Sequence, residues 1–137
     1  MATGKATKSQ IPLVEYLRLG QRPYLRANEC DTCGARYFDR RNACARCGLT
    51  GFKPARVKNR GIVTSFTIVH RAAPGIPVPY VSAIIETEDG TSVRSNVVNC
   101  EPDPETVTLG MPVKLVTYPI GQDDNGVEAI AFGYEPV

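Results

Sequence analysis

Alternating apolar and polar positions dominate the second half of the chain and predict five β-strands, over residues 61–70, 79–86, 91–98, 111–118 and 127–134. These segments are rich in β-branched and aromatic residues, the composition that strands favour. Turn-forming residues separate them, including a hairpin turn at Glu88-Asp89-Gly90. Because no helical period appears between the strands, the pattern predicts a small closed barrel of the OB-fold type, which leaves no sheet edge exposed.

Four cysteines in the first half form two CxxCG pairs, Cys30 with Cys33 and Cys44 with Cys47. This spacing lets two short loops bring four thiolates around one ion, as in a rubredoxin-like zinc ribbon. A glycine follows each pair, where the turn of such a loop often needs a positive φ. The motif therefore predicts one zinc ion, and its role is structural because four thiolates leave no open coordination position.

Two other uses of the cysteines are possible. Two disulfides are typical of a secreted protein, but the polar N-terminus lacks the apolar run of a signal peptide. No apolar stretch approaches the roughly 18 residues that a membrane span needs. These observations favour a soluble protein in a reducing compartment, with the cytoplasm as the expected location. Iron in a rubredoxin-like cage remains open at this point.

The first 20 residues have a different pattern. Residues 1–10 are polar and basic and are expected to form a flexible arm. From Leu13, apolar residues recur at i, i+3 and i+4, with Ser9 as a cap and Gly20 as a stop, which predicts a short amphipathic helix over residues 11–19. Since such a short helix is marginal in water, it must dock, either on its own ribbon or on a partner subunit.

The predicted architecture is mainly β and has three parts. Residues 1–20 form the flexible arm and docking helix, residues 21–55 the zinc ribbon, and residues 56–137 the OB-fold domain. Turn-forming residues over 49–54 predict a loop that leaves the ribbon.

Charge is divided unequally between the two halves. Residues 1–60 hold 13 of the 16 Lys and Arg and 4 of the 14 acids, a formal charge of +9, whereas residues 61–137 carry a formal charge of −7. The basic half is either an anion-binding surface or the solvated surface of a ribbon.

The titratable residues do not group into a catalytic site, and we expect no catalytic residue in this chain. His70 is the single histidine, and no nucleophile or acid accompanies it in the sequence. Cys100 lacks an activating histidine and is predicted to be a core or loop thiol. Asp123-Asp124 lies in a glycine-flanked loop and is predicted to be a solvated turn.

The order of these elements resembles a known family. The CxxCG pairs, the run Gly61 to Arg71, Pro79-Tyr80-Val81 and Gly110-Met111-Pro112-Val113 are similar to those of bacterial and archaeal zinc-ribbon plus OB-fold proteins. This family, formerly a domain of unknown function, accompanies thiolases and related acyl-CoA condensing enzymes. The resemblance covers residues 10–137. It departs at residues 37–40, Tyr-Phe-Asp-Arg, where the family usually has a Pro-Pro-Arg turn; this loop keeps the arginine and lacks both prolines.

The resemblance implies a non-catalytic subunit of a thiolase-type acyl-CoA acyltransferase, or of a related retro-aldol or Claisen enzyme, as in β-oxidation. Its partner is expected to be a thiolase-fold catalytic subunit, in a hetero-oligomer such as two plus two. The barrel is then expected to help hold the acyl-CoA. The proline-stiffened loop up to Tyr80 is the predicted contact, with Arg71 on a phosphate and Pro79 and Tyr80 beside the pantetheine chain.

A different function class is a nucleic-acid-binding module, because ribbons and OB-folds both occur in such proteins. An OB-fold that binds single strands needs a positive groove with exposed aromatic residues. The negative charge of residues 61–137 counts against this alternative. A third hypothesis is that the chain is a purely structural scaffold without any ligand.

Overall fold

The structure, a computed structural model, describes residues 10–137. Ten strands and no helix are found in this part of the chain, which confirms the mainly β class. They are β1 (Gln10–Pro12), β2 (Leu17–Arg18), β3 (Tyr24–Cys30), β4 (Arg36–Tyr37), β5 (Phe52–Val57), β6 (Arg60–Val69), β7 (Tyr80–Thr87), β8 (Ser92–Val97), β9 (Pro112–Gln122) and β10 (Glu128–Pro136). Residues 10–137 thus include no helix long and apolar enough to cross a membrane. Residues 1–9 of the predicted flexible arm lie outside the described residues.

The predicted helix over residues 11–19 is wrong. β1 instead pairs in parallel with β10, β2 pairs with β3, and a turn lies between β1 and β2. Leu13 is 53% exposed while Leu17 is fully buried, so the side chains assigned to one helical face have opposite environments. The backbone of this segment bonds to the barrel: the Leu13 N–H donates to the Ile130 carbonyl at 2.7 Å. These bonds outweigh the weak propensity of a short helix.

The ribbon contains a four-stranded antiparallel sheet centred on β3, with β2 and β4 on one edge and β5 on the other. The exit loop predicted over residues 49–54 is therefore too long, because β5 already begins at Phe52. β5 contains Pro54, which lacks an N–H. An outer strand tolerates proline because its outward groups need no sheet partner.

The five strands predicted in the second half are confirmed as β6 to β10. They close into a barrel in which β9 pairs with β6, β6 with β7, β7 with β8, β8 with β10 and β10 with β9. The β8 to β10 contact is a short parallel pairing of Val97 with Tyr134. A bulge between Val63 and Ser65 in β6 shifts its register against β7.

The core continues from the barrel into the base of the ribbon. Val63, Ile85 and Tyr134 of the barrel belong to the same buried cluster as Leu25 and Val57 of the ribbon sheet. Each fully buried side chain of this kind contributes about 1.5–3 kcal/mol to folding. The Tyr134 hydroxyl finds no hydrogen-bond partner among the described residues, and burial, followed by the charge of Asp89, raises the pKa of Tyr134.

Candidate metal centre and barrel groove

The ribbon places its cysteines on two similar turns. Cys30 ends β3, and the Gly34 N–H donates to its carbonyl at 3.0 Å; in the second loop the Gly48 N–H donates to the Cys44 carbonyl at 2.8 Å. Gly34 and Gly48 have φ values of 79° and 80°, which a side chain would strain. The glycine role predicted from the two CxxCG pairs is thereby confirmed.

The four sulfurs meet at the centre of the ribbon. Cys30 Sγ lies 3.5 Å from Cys47 Sγ, Cys33 Sγ lies 3.5 Å from Cys44 Sγ, and all four sulfurs are within 4.8 Å of one another. A Zn–S bond of about 2.3 Å in a tetrahedron separates neighbouring sulfurs by about 3.8 Å. The predicted ligand set therefore fits one tetrahedral zinc ion, which closes the ribbon and plays a structural role.

Ionisation of the thiols also favours a cation at this place. A hydrogen bond from Tyr37 lowers the pKa of Cys44 to about 6, and backbone N–H groups of Cys33 and Thr32 lower the pKa of Cys30. For Cys47, the Leu49 backbone favours the thiolate, but burial and the three neighbouring sulfurs outweigh it and raise the pKa to about 12. Four thiolates this close repel one another, and a divalent cation removes that repulsion.

Tyr37 is a supporting residue that the sequence analysis missed. Its hydroxyl lies 3.5 Å from Cys44 Sγ and accepts a hydrogen bond from the Ala45 N–H at 3.2 Å. The Arg41 guanidinium covers its ring, 4.1 Å from the centroid. Tyr37 belongs to the segment that departs from the family's proline turn, so here hydrogen bonds and a cation–π contact hold the loop.

The barrel carries a groove of about 440 Å³ on the outer face of β6 and β7. The residues that line it include Thr67, Tyr80, Ser82, Ile84 and Arg94. Of the residues predicted to contact acyl-CoA, the structure places Tyr80 in this groove. Arg71 and Pro79 lie on the exposed loop that precedes β7 and do not line the groove.

Arg94 is a second residue that the sequence analysis missed. Residues 61–137 contain three basic residues, Arg71, Arg94 and Lys114. Lys114 is 3.7 Å from Glu135, while Arg71 and Arg94 form no ion pair within residues 10–137. Within residues 61–137, the two cations without an ion pair thus lie at the loop and at the groove.

The other titratable candidates line neither the metal centre nor the groove. His70 is exposed at the start of the loop. Cys100 packs against the core, and burial, followed by the charges of Asp103 and Glu101, raises its pKa. The Asp123 carboxylate accepts hydrogen bonds from the Asn125 and Val127 N–H groups, at 2.8 and 2.9 Å, as in a solvated turn.

Two family models match the chain. The first, described as ChsH2, rubredoxin-like zinc ribbon domain, covers residues 18–52. The second, described as ChsH2, C-terminal OB-fold domain, covers residues 55–118.

Similar proteins include two archaeal chains, each described as a DUF35 domain-containing scaffold protein. The Methanocaldococcus jannaschii protein is 35% identical over 79% of this chain and 78% of its own length. The Methanothermobacter thermautotrophicus protein is 28% identical over 85% of this chain and 89% of its own. A solved structure described as Ltp2-ChsH2(DUF35) aldolase aligns with a TM-score of 0.61 and 25% identity, over 82% of this chain and 84% of that chain.

Proposed function

Because the chain belongs to the DUF35 family of zinc-ribbon and OB-fold proteins, we propose that it is a non-catalytic scaffold subunit of a thiolase-type acyl-CoA acyltransferase complex. One observation carries the proposal: a relative that shares 35% of its residues over most of both chains is described as a scaffold protein. The solved structure described as Ltp2-ChsH2(DUF35) aldolase supports pairing with an enzyme subunit.

The metal centre supports a structural role for the ribbon. All four ligand positions are thiolates, so zinc has no position left for water or substrate. Chemistry on a substrate is therefore assigned to the partner, a thiolase-fold catalytic subunit in a hetero-oligomer such as two plus two. Because none of the five cysteines forms a disulfide, we propose that the complex lies in the reducing cytoplasm.

The loop before β7 is the proposed contact with partner and substrate. It exposes Ile76 and Val78, at 49% and 43% of their surfaces, together with the free cation of Arg71. Loops held by a rigid barrel commonly carry binding residues. In this account the apolar side chains pack on the partner, Arg71 binds an acyl-CoA phosphate, and Pro79 and Tyr80 flank the pantetheine chain towards the groove.

Affinity purification of tagged variants from the native cell tests this docking. Ile76→Asp places a charge in the proposed interface and should release the thiolase-fold subunit. Leu109→Asp is the matched control, because Leu109 is also apolar and exposed but lies in a different loop. Release by Ile76→Asp and retention by Leu109→Asp support the proposal, whereas retention of the subunit by both variants excludes the loop as its docking site.

A further inference from the structure

A concavity of about 470 Å³ lies where the ribbon sheet meets the barrel. It is at the opposite end of β6 from the loop before β7 that is proposed to contact acyl-CoA. Arg22 and Arg56 line it on the ribbon side, and Leu115, Val116 and Thr117 of β9 line it on the barrel side. From this geometry we infer a second binding site, which takes a nucleoside phosphate. The inference does not depend on the proposed acyl-CoA contact, because β6 separates the two places by roughly 30 Å.

The charge of the concavity is uncompensated. No carboxylate lines it, and neither Arg22 nor Arg56 forms an ion pair within the part of the chain that the structure describes. In the sheet register Arg56 lies directly opposite Arg26. Glu15 reaches only Arg26, at 3.4 Å. Like charges opposite each other destabilise a strand pair. An anion bound beside Arg56 would therefore reduce the repulsion between Arg56 and Arg26.

Neighbouring groups hold both sides of the concavity in position. The Arg56 guanidinium lies 4.1 Å from the centre of the Tyr24 ring, which orients it without neutralising it. Asn59 Nδ2 donates to the carbonyl of Pro23, the residue after Arg22, at 3.1 Å. The Asn59 carbonyl accepts from the Leu115 N–H at 2.8 Å, which joins the ribbon side to β9. The site is therefore largely formed before any ligand arrives.

The lining indicates the class of ligand. Two guanidinium groups suit a phosphate, which arginine binds with paired hydrogen bonds. Pro23, Leu115 and Val116 offer an apolar wall for a sugar and base, and the volume falls within the range of about 300–1,000 Å³ that is usual for small-molecule sites. A nucleoside phosphate has both parts. It is either a free nucleotide or the adenosine end of a coenzyme molecule other than the one whose phosphate Arg71 contacts.

Calorimetric titration of the zinc-loaded full chain with ADP, coenzyme A and pantetheine tests the inference. We expect ADP to bind and pantetheine to give no heat. Coenzyme A binding as tightly as ADP identifies the coenzyme as the source, and ADP binding alone identifies a free nucleotide. Arg22→Gln and Arg56→Gln should each weaken binding by about tenfold or more.

Arg40→Gln is the control, because it removes the same charge from an exposed ribbon residue that has no ion pair within residues 10–137. Its affinity for ADP should stay within about twofold of the native value. Equal weakening in all three variants overturns the inference, because it shows only non-specific attraction to a basic surface. Absence of ADP binding at millimolar concentration also overturns it, and binding of an acidic polypeptide in its place would show a protein-docking surface. Neither result affects recovery of a thiolase-fold subunit, so failure of this site and failure of the proposed function are distinguishable.

Discussion

Arg36 Nη1 of the ribbon lies 3.0 Å from Asp89 Oδ2 in the turn between β7 and β8, and this ion pair joins the two halves of the molecule. Arg36 Nε also donates to Glu29 at 2.9 Å, and Nη1 donates to the Thr91 hydroxyl at 3.1 Å. The Lys58 N–H donates to the same oxygen of Asp89 at 2.9 Å. Asp89, in the turn between β7 and β8, therefore contacts both Arg36 of the ribbon and Lys58 between β5 and β6, and holds these three segments together.

Asp89→Asn should lower the free energy of unfolding at pH 7 by about 2 kcal/mol. Burial alone would raise the pKa of Asp89, but hydrogen bonds from Thr87, Lys58, Thr91 and Arg36 hold it at about 2. A depressed folded-state pKa stabilises the protein above the unfolded value of about 3.9, and this stability is lost as the pH falls towards 2. Urea unfolding at a series of pH values measures the difference between variant and native protein.

That difference should shrink below pH 4. Zinc release in acid would unfold the ribbon and remove the contact between Arg36 and Asp89, so zinc content is measured at each pH and only zinc-loaded samples are compared. Asp124→Asn, an exposed change in a loop, is the control and should leave the free energy of unfolding within about 0.5 kcal/mol. A constant difference between pH 7 and pH 3 would refute the role assigned to the Asp89 charge.

Cys47→Ser should abolish stoichiometric zinc binding and unfold the ribbon, because a ribbon of this kind depends on its metal for folding. Cys100→Ser should keep one zinc per chain, since Cys100 lies outside the sulfur cluster. Elemental mass spectrometry measures the zinc, and circular dichroism measures the folding. Loss of zinc from the Cys100 variant, or retention by the Cys47 variant, would contradict the ligand assignment.

Tyr37→Phe should weaken zinc binding by about tenfold, the usual effect of losing a hydrogen bond to a ligand. The lost hydroxyl is 3.5 Å from Cys44 Sγ. Competition with a chromophoric chelator measures the affinity. Tyr16→Phe serves as the control, because Tyr16 packs on Phe38 and Phe132 rather than on a sulfur. Equal zinc affinities for the two variants would mean that the Tyr37 hydroxyl does not support the site.

Gly61→Ala should destabilise the barrel by about 1–3 kcal/mol, the usual cost of overpacking. An added Cβ at Gly61 would lie 2.5 Å from the Glu86 carbonyl oxygen and 2.9 Å from Thr87 Cα, and neither backbone atom can move away cheaply. Gly121→Ala adds the same atom in open space and is the control. Thermal unfolding should show a lower melting temperature for Gly61→Ala alone. Equal melting temperatures for the two variants would contradict the close packing of Gly61 on the β7 backbone.

Arg71→Ala should raise the KM of the assembled complex for acyl-CoA about tenfold or more, because a charge-assisted contact with phosphate is lost. Arg71→Lys keeps the charge and should recover part of the effect. Steady-state kinetics with acyl-CoA and with the corresponding acyl-pantetheine, which lacks the adenosine phosphates, separate the phosphate contact from contacts with the pantetheine chain. An unchanged KM in Arg71→Ala would exclude this residue as the phosphate contact.

The sequence predicts the local features of this fold well. Apolar and polar residues alternate within each barrel strand, and the ligand cysteines have the CxxCG spacing. Both features can be recognised from neighbouring residues alone. The helix prediction fails because apolar residues spaced from Leu13 to Leu17 also suit a turn between two short strands, and β10 decides the outcome from far along the chain. The loop predicted over residues 49–54 overlaps the start of β5 because Gly51 and Pro54 are turn formers by composition.

In the candidate site, too, some residues can be predicted from local sequence and others depend on residues far along the chain. Arg36 and Asp89 are 53 positions apart, and no local pattern relates them. Tyr37 supports Cys44, and Arg94 lines the same groove as Tyr80, only because the sheets bring them there. Ligands set by spacing are readable from the sequence, while their supporting residues depend on the register of strands.

The most direct test of the central claim is gentle purification of the full chain from its native cell, with mass spectrometry of the proteins that elute with it. Parallel samples are treated with nuclease and with high salt. The account predicts a thiolase-fold protein in stoichiometric amount that survives nuclease. Nucleic acid that elutes with the chain and is lost at high salt, with no such protein present, would contradict it and establish a nucleic-acid-binding module instead.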